Sequence, residues 1–288
     1  MSFGYFPDFR GTSRIRDLCL RVIGFPFAPR RDEARIVFGL LEPGRGEKVL
    51  DLGCGDGVWS NDLSNRGCDV YGIDIDQQCI LLANFRAGQL RSKTDYVVGD
   101  AQYLPFRDGI FDKCFALCSL EHIPESKRVF PEVHRVLKRG GTFIFSVPSK
   151  RLPYPMRIIV RLPRCVKKTF ASKVLVDSRN VDELMEKFDV DFGHIRRYDE
   201  ELIAAMASES GFNISRFLYH MKLFGGLVGG MLFSVRIFDV RSLDGGWSNR
   251  AVLHVIFFPI FYVLHRLDAL LPIKGCTIVA KLYSPEEC

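Results

Sequence analysis

Three short segments of this 288-residue chain carry residues whose types and spacing suit the binding of an adenosine-type nucleotide. The first, Val49-Leu50-Asp51-Leu52-Gly53-Cys54-Gly55-Asp56-Gly57, reads as an apolar strand entering a glycine-rich turn that opens a helix. Glycines suit such a turn because the backbone must bend tightly and let a ligand approach, which a Cβ would prevent. The second is Asp74 in Gly72-Ile73-Asp74, 21 residues after Gly53 at the end of a second apolar run. A carboxylate there can accept hydrogen bonds from both hydroxyls of a ribose. The third is Gly99-Asp100-Ala101, where a carboxylate could accept the amino group of an adenine.

These residues need a scaffold that brings three strand ends together. Apolar runs at Val49–Leu52, Val70–Ile75, Tyr96–Val98, Phe111–Leu117 and Thr142–Val147 alternate with helical patterns at Ser60–Asn65, Gln77–Gly88 and Glu125–Leu137. Short apolar strands alternating with helices imply a parallel sheet covered on both faces, and ligands of such sheets bind outside the carboxyl ends of the strands. Before this unit, helical patterns occur at Arg14–Val22 and Asp32–Leu41; after it come a helix at Asp199–Ser210 and strands at Asn213–Tyr219 and Thr277–Leu282. The glycine spacing departs from the dinucleotide fingerprint. Gly57 follows Gly55 after one residue, and Trp59 sits at the helix start, where a pyrophosphate would need room. S-adenosylmethionine (SAM) fits the turn better.

Taken in order, Val49–Gly57, Gly72–Asp76, Gly99-Asp100-Ala101 with Leu104-Pro105-Phe106, Phe111-Asp112, Leu120-Glu121-His122-Ile123 and Arg135–Gly141 resemble the class I SAM-dependent methyltransferases. The group that includes the ubiquinone and menaquinone biosynthesis enzymes is the most similar. The resemblance covers about residues 45–148 and implies a fold: α/β, a Rossmann-like, mostly parallel seven-stranded sheet with helices on both faces, its last strand antiparallel. It also implies roles. Asp51, Gly53, Cys54 and Gly55 would lie under the methionine portion of SAM, Asp74 would hold the ribose, Ile75 would pack on the adenine, and Asp100 with Ala101 would mark the adenine edge. Cys118, Ser119, Leu120 and His122 would face the cofactor or the acceptor, with His122 the candidate general base. Cys54 reads as a filler of the turn, Asp56 and Asp112 as caps, and His194 and Tyr198 as candidates to border the acceptor pocket.

The departure from the family is an apolar helical insertion between the last two strands. Leu223–Val235 holds four glycines, and Ala251–Leu264 is a nearly unbroken apolar run of 14 residues. Both fall short of the roughly 20 residues that cross a bilayer as a helix. The expected organisation is therefore an N-terminal helical cap (1–46), a SAM-binding domain (47–221 and 275–288) and an apolar insertion (222–274) acting as a lid or a membrane-docking device. Seven basic residues and no acidic one between Lys150 and Lys168, in a chain of net charge +6, could meet lipid phosphates. Nine scattered cysteines form no Cys-x-x-Cys pair and no zinc spacing, so no metal and no disulfide are expected. With no secretory signal, they read as reduced thiols of a protein expected in the cytoplasm, either free or peripheral on a membrane's cytoplasmic face. The segment after the fourth strand lacks the Asn/Asp-Pro-Pro-aromatic motif of base-gripping enzymes. A small, lipophilic or lipid-linked acceptor is expected, the alternatives being an RNA or protein acceptor or a subunit that binds SAM without catalysis.

Overall fold

The computed structural model describes residues 28–152, 177–220 and 273–286, with residues 157–158, 160–165, 222, 267 and 270–271 between them. Along the chain run α1 (Ala28–Leu41), β1 (Lys48–Leu52), α2 (Val58–Asn65), β2 (Asp69–Asp74), α3 (Gln77–Leu90), β3 (Asp95–Val98), β4 (Phe111–Leu117), α4 (Val129–Val136), β5 (Leu137–Pro148), α5 (Val181–Phe192), α6 (Glu200–Glu209), β6 (Asn213–His220) and β7 (Thr277–Tyr283). The seven strands form one sheet in the order β3-β2-β1-β4-β5-β7-β6. β1 to β5 are parallel, and β7 runs antiparallel between β5 and β6.

Strand residues alternate between two apolar layers, because successive side chains of a strand point to opposite faces. Leu50, Cys114, Ala116, Phe143, Phe145, Ile278 and Ala280 pack with Phe130 and Val133 of α4 and with Ile203 and Met206 of α6. Their neighbours Val49, Phe115, Ile144 and Val279 pack on the other side with Val37, Phe38 and Leu41 of α1 and with Leu63 of α2. Both faces of the sheet are thus covered by helices.

α5 was not expected from the sequence. Asn180 caps it by accepting from the Glu183 N–H at 2.8 Å, and Val181, Leu184, Met185 and Phe188 pack toward Leu152 and Val160. The basic, proline-containing stretch upstream obscured this start. The expected helix around Arg14–Val22 and nearly all of the 222–274 insertion lie outside the described residues, as does part of Lys150–Lys168.

The segment after α5 is fastened to the loop after β4 by Tyr198, which is fully buried. Its hydroxyl donates to the Leu120 carbonyl at 3.0 Å and lies 3.0 Å from Ser126 Oγ. Its backbone N–H donates to Pro148 O at 2.9 Å. Tyr198 therefore fastens the segment after α5 to the loop after β4. Tyr198→Phe leaves buried polar groups without this partner and should cost about 1–3 kcal/mol in urea unfolding.

Candidate cofactor and acceptor site

The turn after β1 is held to the end of β2. The N–H groups of Gly53 and Cys54 both donate to Ile73 O, at 2.8 and 3.0 Å, and the Gly55 N–H donates to Asp74 Oδ2 at 2.8 Å. Asp74 Oδ1 accepts from the Asp76 N–H at 2.9 Å, so its carboxylate fixes two turns while standing at the strand end. Gly53 (φ +67°) and Gly55 (φ +53°) occupy left-handed backbone that favours glycine. A Cβ on Gly53 would come within 2.5 Å of Ser119 Cβ, whereas one on Gly55 would meet no atom within 4 Å. The turn is thus packed against β4's loop on one side and open on the other.

Around this turn the expected residues converge. Asp51, almost fully buried, accepts from Ser60 Oγ at 2.5 Å, and Cys54 is buried in the turn as a filler. Asp56 pairs with Arg86 of α3. Ile75 follows Asp74 and is 73% exposed, an apolar side chain standing free at the strand end. Beyond β3, Asp100 accepts from the backbone and side-chain amides of Gln102, and Ala101 is buried beneath it. Asp112 lies in β4 and receives the Lys48 N–H at the start of β1 and the Lys138 ammonium, so it joins strands at the other end of β1 and caps neither a helix nor a turn.

The loop after β4 supplies the other wall. Cys118 lies in the left-handed region at φ +47°, an uncommon place for a residue with a side chain. Its Sγ is 3.0 Å from Glu33 Oε1 and 3.7 Å from Ser146 Oγ, so it faces α1 and β5. Ser119 Oγ donates to Leu52 O at 2.8 Å, tying this loop to β1. His122 Nδ1 is 3.0 Å from Gly193 O, and its ring lies 5.3 Å from that of His194. His194 Nδ1 is 3.1 Å from Asp189 Oδ1, and burial pushes the imidazole down to about 4, so it is neutral near pH 7. His194 thus joins His122 beside this loop.

Glu33 was missed. It is buried on the α1 face that also carries Val37 and Leu41, and a carboxylate on an otherwise apolar helix face was the signal that could have found it.

Residues 50–145 match the family model described as "Methyltransferase domain". They form a class I SAM-dependent methyltransferase domain. Its curated relatives include the sterol 24-C-methyltransferase of Saccharomyces cerevisiae, 36% identical over 102 residues, covering 34% of this chain and 27% of that one. Another is a ubiquinone biosynthesis O-methyltransferase of Aliivibrio fischeri, 28% identical over 123 residues, covering 42% of this chain and 53% of that one. The chain therefore spans between about a quarter and a half of the length of these relatives. Among solved structures, phosphoethanolamine N-methyltransferase 2 of Haemonchus contortus with bound SAM superposes with a TM-score of 0.57 at 16% identity, covering 98% of this chain and 62% of that one. The [4+2]-cyclase SpnF superposes with 0.56 at 18% identity, covering 89% and 82%. These likenesses extend the fold of the methyltransferase domain through β6 and β7.

The domain's turn concentrates negative charge out of water. Burial pushes the Asp51 carboxyl up to about 7 against the pull of Ser60, with the nearby Asp74 and Asp56 adding to the rise. Burial likewise lifts Asp56 to about 6 despite Arg86. In the unfolded chain both would lose their protons near pH 4. Between about pH 4 and 7 the native state therefore binds more protons than the unfolded state, and stability falls as pH rises through that window. The cofactor-free protein should unfold at lower urea concentration at pH 8 than at pH 5.5, and Asp51→Asn should flatten that difference.

Proposed function

We propose that this chain transfers the methyl group of SAM to a small, lipophilic acceptor. The observation that carries the reading is the site's charge and shape: Asp51, Asp56 and Asp74 crowd a glycine turn whose outer side is open. SAM brings a sulfonium and an ammonium, and a cation entering this turn favours the charged form of Asp51, whose carboxyl is raised by burial first and by the nearby Asp74 and Asp56 second. In this reading Asp51, Gly53, Cys54 and Gly55 back the methionine portion, Asp74 accepts from the ribose, Ile75 supplies an apolar face for the adenine, and Asp100 with Ala101 borders its edge. Cys118, in the loop after β4, borders the cofactor, and His122 belongs to the acceptor side.

The chemistry needs positioning above all. The acceptor's electron pair attacks the methyl carbon, the S–CH3 pair stays on sulfur as the thioether of S-adenosylhomocysteine, and an acceptor proton goes to a base or water. Holding donor and acceptor in line while excluding water supplies most of the barrier lowering. His122, at the end of β4, is the side chain proposed to take that proton.

The lipophilic acceptor rests on the sterol and ubiquinone enzymes among the relatives, together with the apolar 222–271 sequence. We further propose that the protein works on the cytoplasmic face of a membrane, docked peripherally; no helix among the described residues is long and apolar enough to cross one. Docking predicts co-sedimentation with anionic liposomes more than with neutral ones, weakened by replacing Phe257, Phe258 and Phe261 with Ser. A wild type that stays in the supernatant with every liposome would overturn it.

Two measurements test the activity. Asp74→Ala removes an acceptor for the ribose and the anchor of the Gly55 N–H, and calorimetry with S-adenosylhomocysteine should register a loss of about 1–3 kcal/mol. Unchanged affinity would refute the site. Incubating cell lipid and soluble extracts with methyl-labelled SAM should place label in the lipid fraction. Label in RNA or protein would redirect the acceptor assignment, and no label in any fraction would leave a SAM-binding subunit.

A further inference from the structure

Beside the proposed cofactor site, three side chains from two distant parts of the chain meet in one place. Glu121 and His122 lie in the turn Leu120–His122 just after β4, and His194 lies just beyond α5. One ligand atom from each falls within 4.8 Å of the others. We propose that Glu121, His122 and His194 form a binding site for a divalent first-row transition ion such as Zn2+.

The second shell around the histidines is that of a metal site. His122 Nδ1 faces the Gly193 carbonyl oxygen and His194 Nδ1 faces the Asp189 carboxylate, and both partners are acceptors only. Each ring thus has an oxygen acceptor set against its Nδ1. Histidine ligands are oriented in this way by a carbonyl or carboxylate on the opposite nitrogen. Asp189 is itself held by Arg197 Nε at 2.8 Å, so the orienting carboxylate is fixed.

The backbone that brings the ligands together is braced from several directions. The Ile195 N–H donates to Glu121 O at 2.9 Å, and Tyr198 fastens the same segment to Leu120. α5 stops at Gly193, and the His194 N–H closes back on Asp189 O at 2.8 Å, which turns the imidazole toward the last helical turn and its carboxylate. Glu121 is 1% exposed, so its carboxylate is held in a low-dielectric setting where an opposite charge is favoured.

The donor set selects the ion. Two imidazoles and a carboxylate suit Zn2+, Co2+ or Mn2+, whereas Mg2+ and Ca2+ take mostly oxygens. Three atoms no more than 4.8 Å apart lie within about 2.8 Å of a common centre, so each reaches the usual ~2.0–2.1 Å bond by moving under about 1 Å. Three protein ligands leave a coordination position for water or an oxygen-bearing molecule. The sequence alone concealed this group because His194 stands at no metal-ligand spacing from Glu121-His122.

The test uses the full chain stripped of metal with chelator. Titrated with Co2+, the wild type should take up one equivalent and develop visible d–d absorption that one equivalent of Zn2+ abolishes. Zn2+ should raise its melting temperature, as any ligand of the native state does. His194→Ala should lose the spectrum and the Zn2+-induced shift while still binding S-adenosylhomocysteine, which shows that it is folded. Asp189→Asn should weaken Zn2+ about 10- to 100-fold, as loss of an orienting partner does. A wild type that takes up no stoichiometric ion, or a His194→Ala protein with unchanged spectrum and affinity, would overturn the site. Neither result bears on SAM binding, which is assayed separately; an ion held by His122 would leave the departing proton to water rather than to that ring.

Discussion

The site depends on one constraint: the chain leaving β1 must turn back within three residues onto the end of β2. Ile73 O takes two N–H groups from that turn and Asp74 Oδ2 takes a third. Two consequences follow from this closure. Gly53 and Gly55 are forced into left-handed backbone, and the side chain of Asp74 is committed to a position between the turn and the space above it. The same contact that shapes the turn thus fixes a carboxylate at the end of β2, the one proposed above to accept from the ribose. Ser119, packed where a Cβ of Gly53 would lie, extends the constraint to the loop after β4 and so to the acceptor side.

Electrostatics then sets what this turn can hold. Asp51 contributes little to folding as a charge, because burial, with a smaller push from Asp74 and Asp56, raises its carboxyl to about 7. Ser60 offers a single short hydrogen bond in compensation. A buried acid of this kind destabilises the empty protein near neutral pH and becomes favourable once a cation arrives, so the cost is set against binding rather than against folding.

Legibility in the sequence followed the range of the interactions. β1 to β5 and the helices between them could be read because each strand is a short apolar run and each connection is local, and the same held for the glycine turn with Asp74 and Asp100. β6 and β7 were also read as strands from the sequence, and the resemblance supplied only the antiparallel course of the last. α5 escaped because its start, Asn180 with Glu183, follows a proline-containing basic stretch that reads as loop, although the cap and the apolar spacing Val181, Leu184, Met185, Phe188 were there to be found. The parts that could not be read are contacts between distant segments. Tyr198 reaches Leu120 and Ser126, Glu33 of α1 meets Cys118, and His194 meets His122. Each is a single polar residue whose partner is fixed only by tertiary packing, and no local period announces it.

The same division separates what the fold decides from what it leaves to the loops. Among structures that superpose on this chain, one is an N-methyltransferase with bound SAM and another a [4+2]-cyclase. The same fold is thus shared by proteins of different reaction, and the fold by itself does not fix the chemistry. Here the facing wall is built from the loop after β4 and the segment 193–198, joined by the Ile195 N–H to Glu121 O and by the buried hydroxyl of Tyr198. A wall fixed by buried hydrogen bonds holds its polar side chains in narrow rotamer ranges. That rigidity is what alignment of a nucleophile with a methyl group requires, since misplacement by about 1 Å can cost on the order of a hundredfold in rate. Tyr198 enters this wall through its hydrogen bond to the Leu120 carbonyl, in the same turn that carries His122.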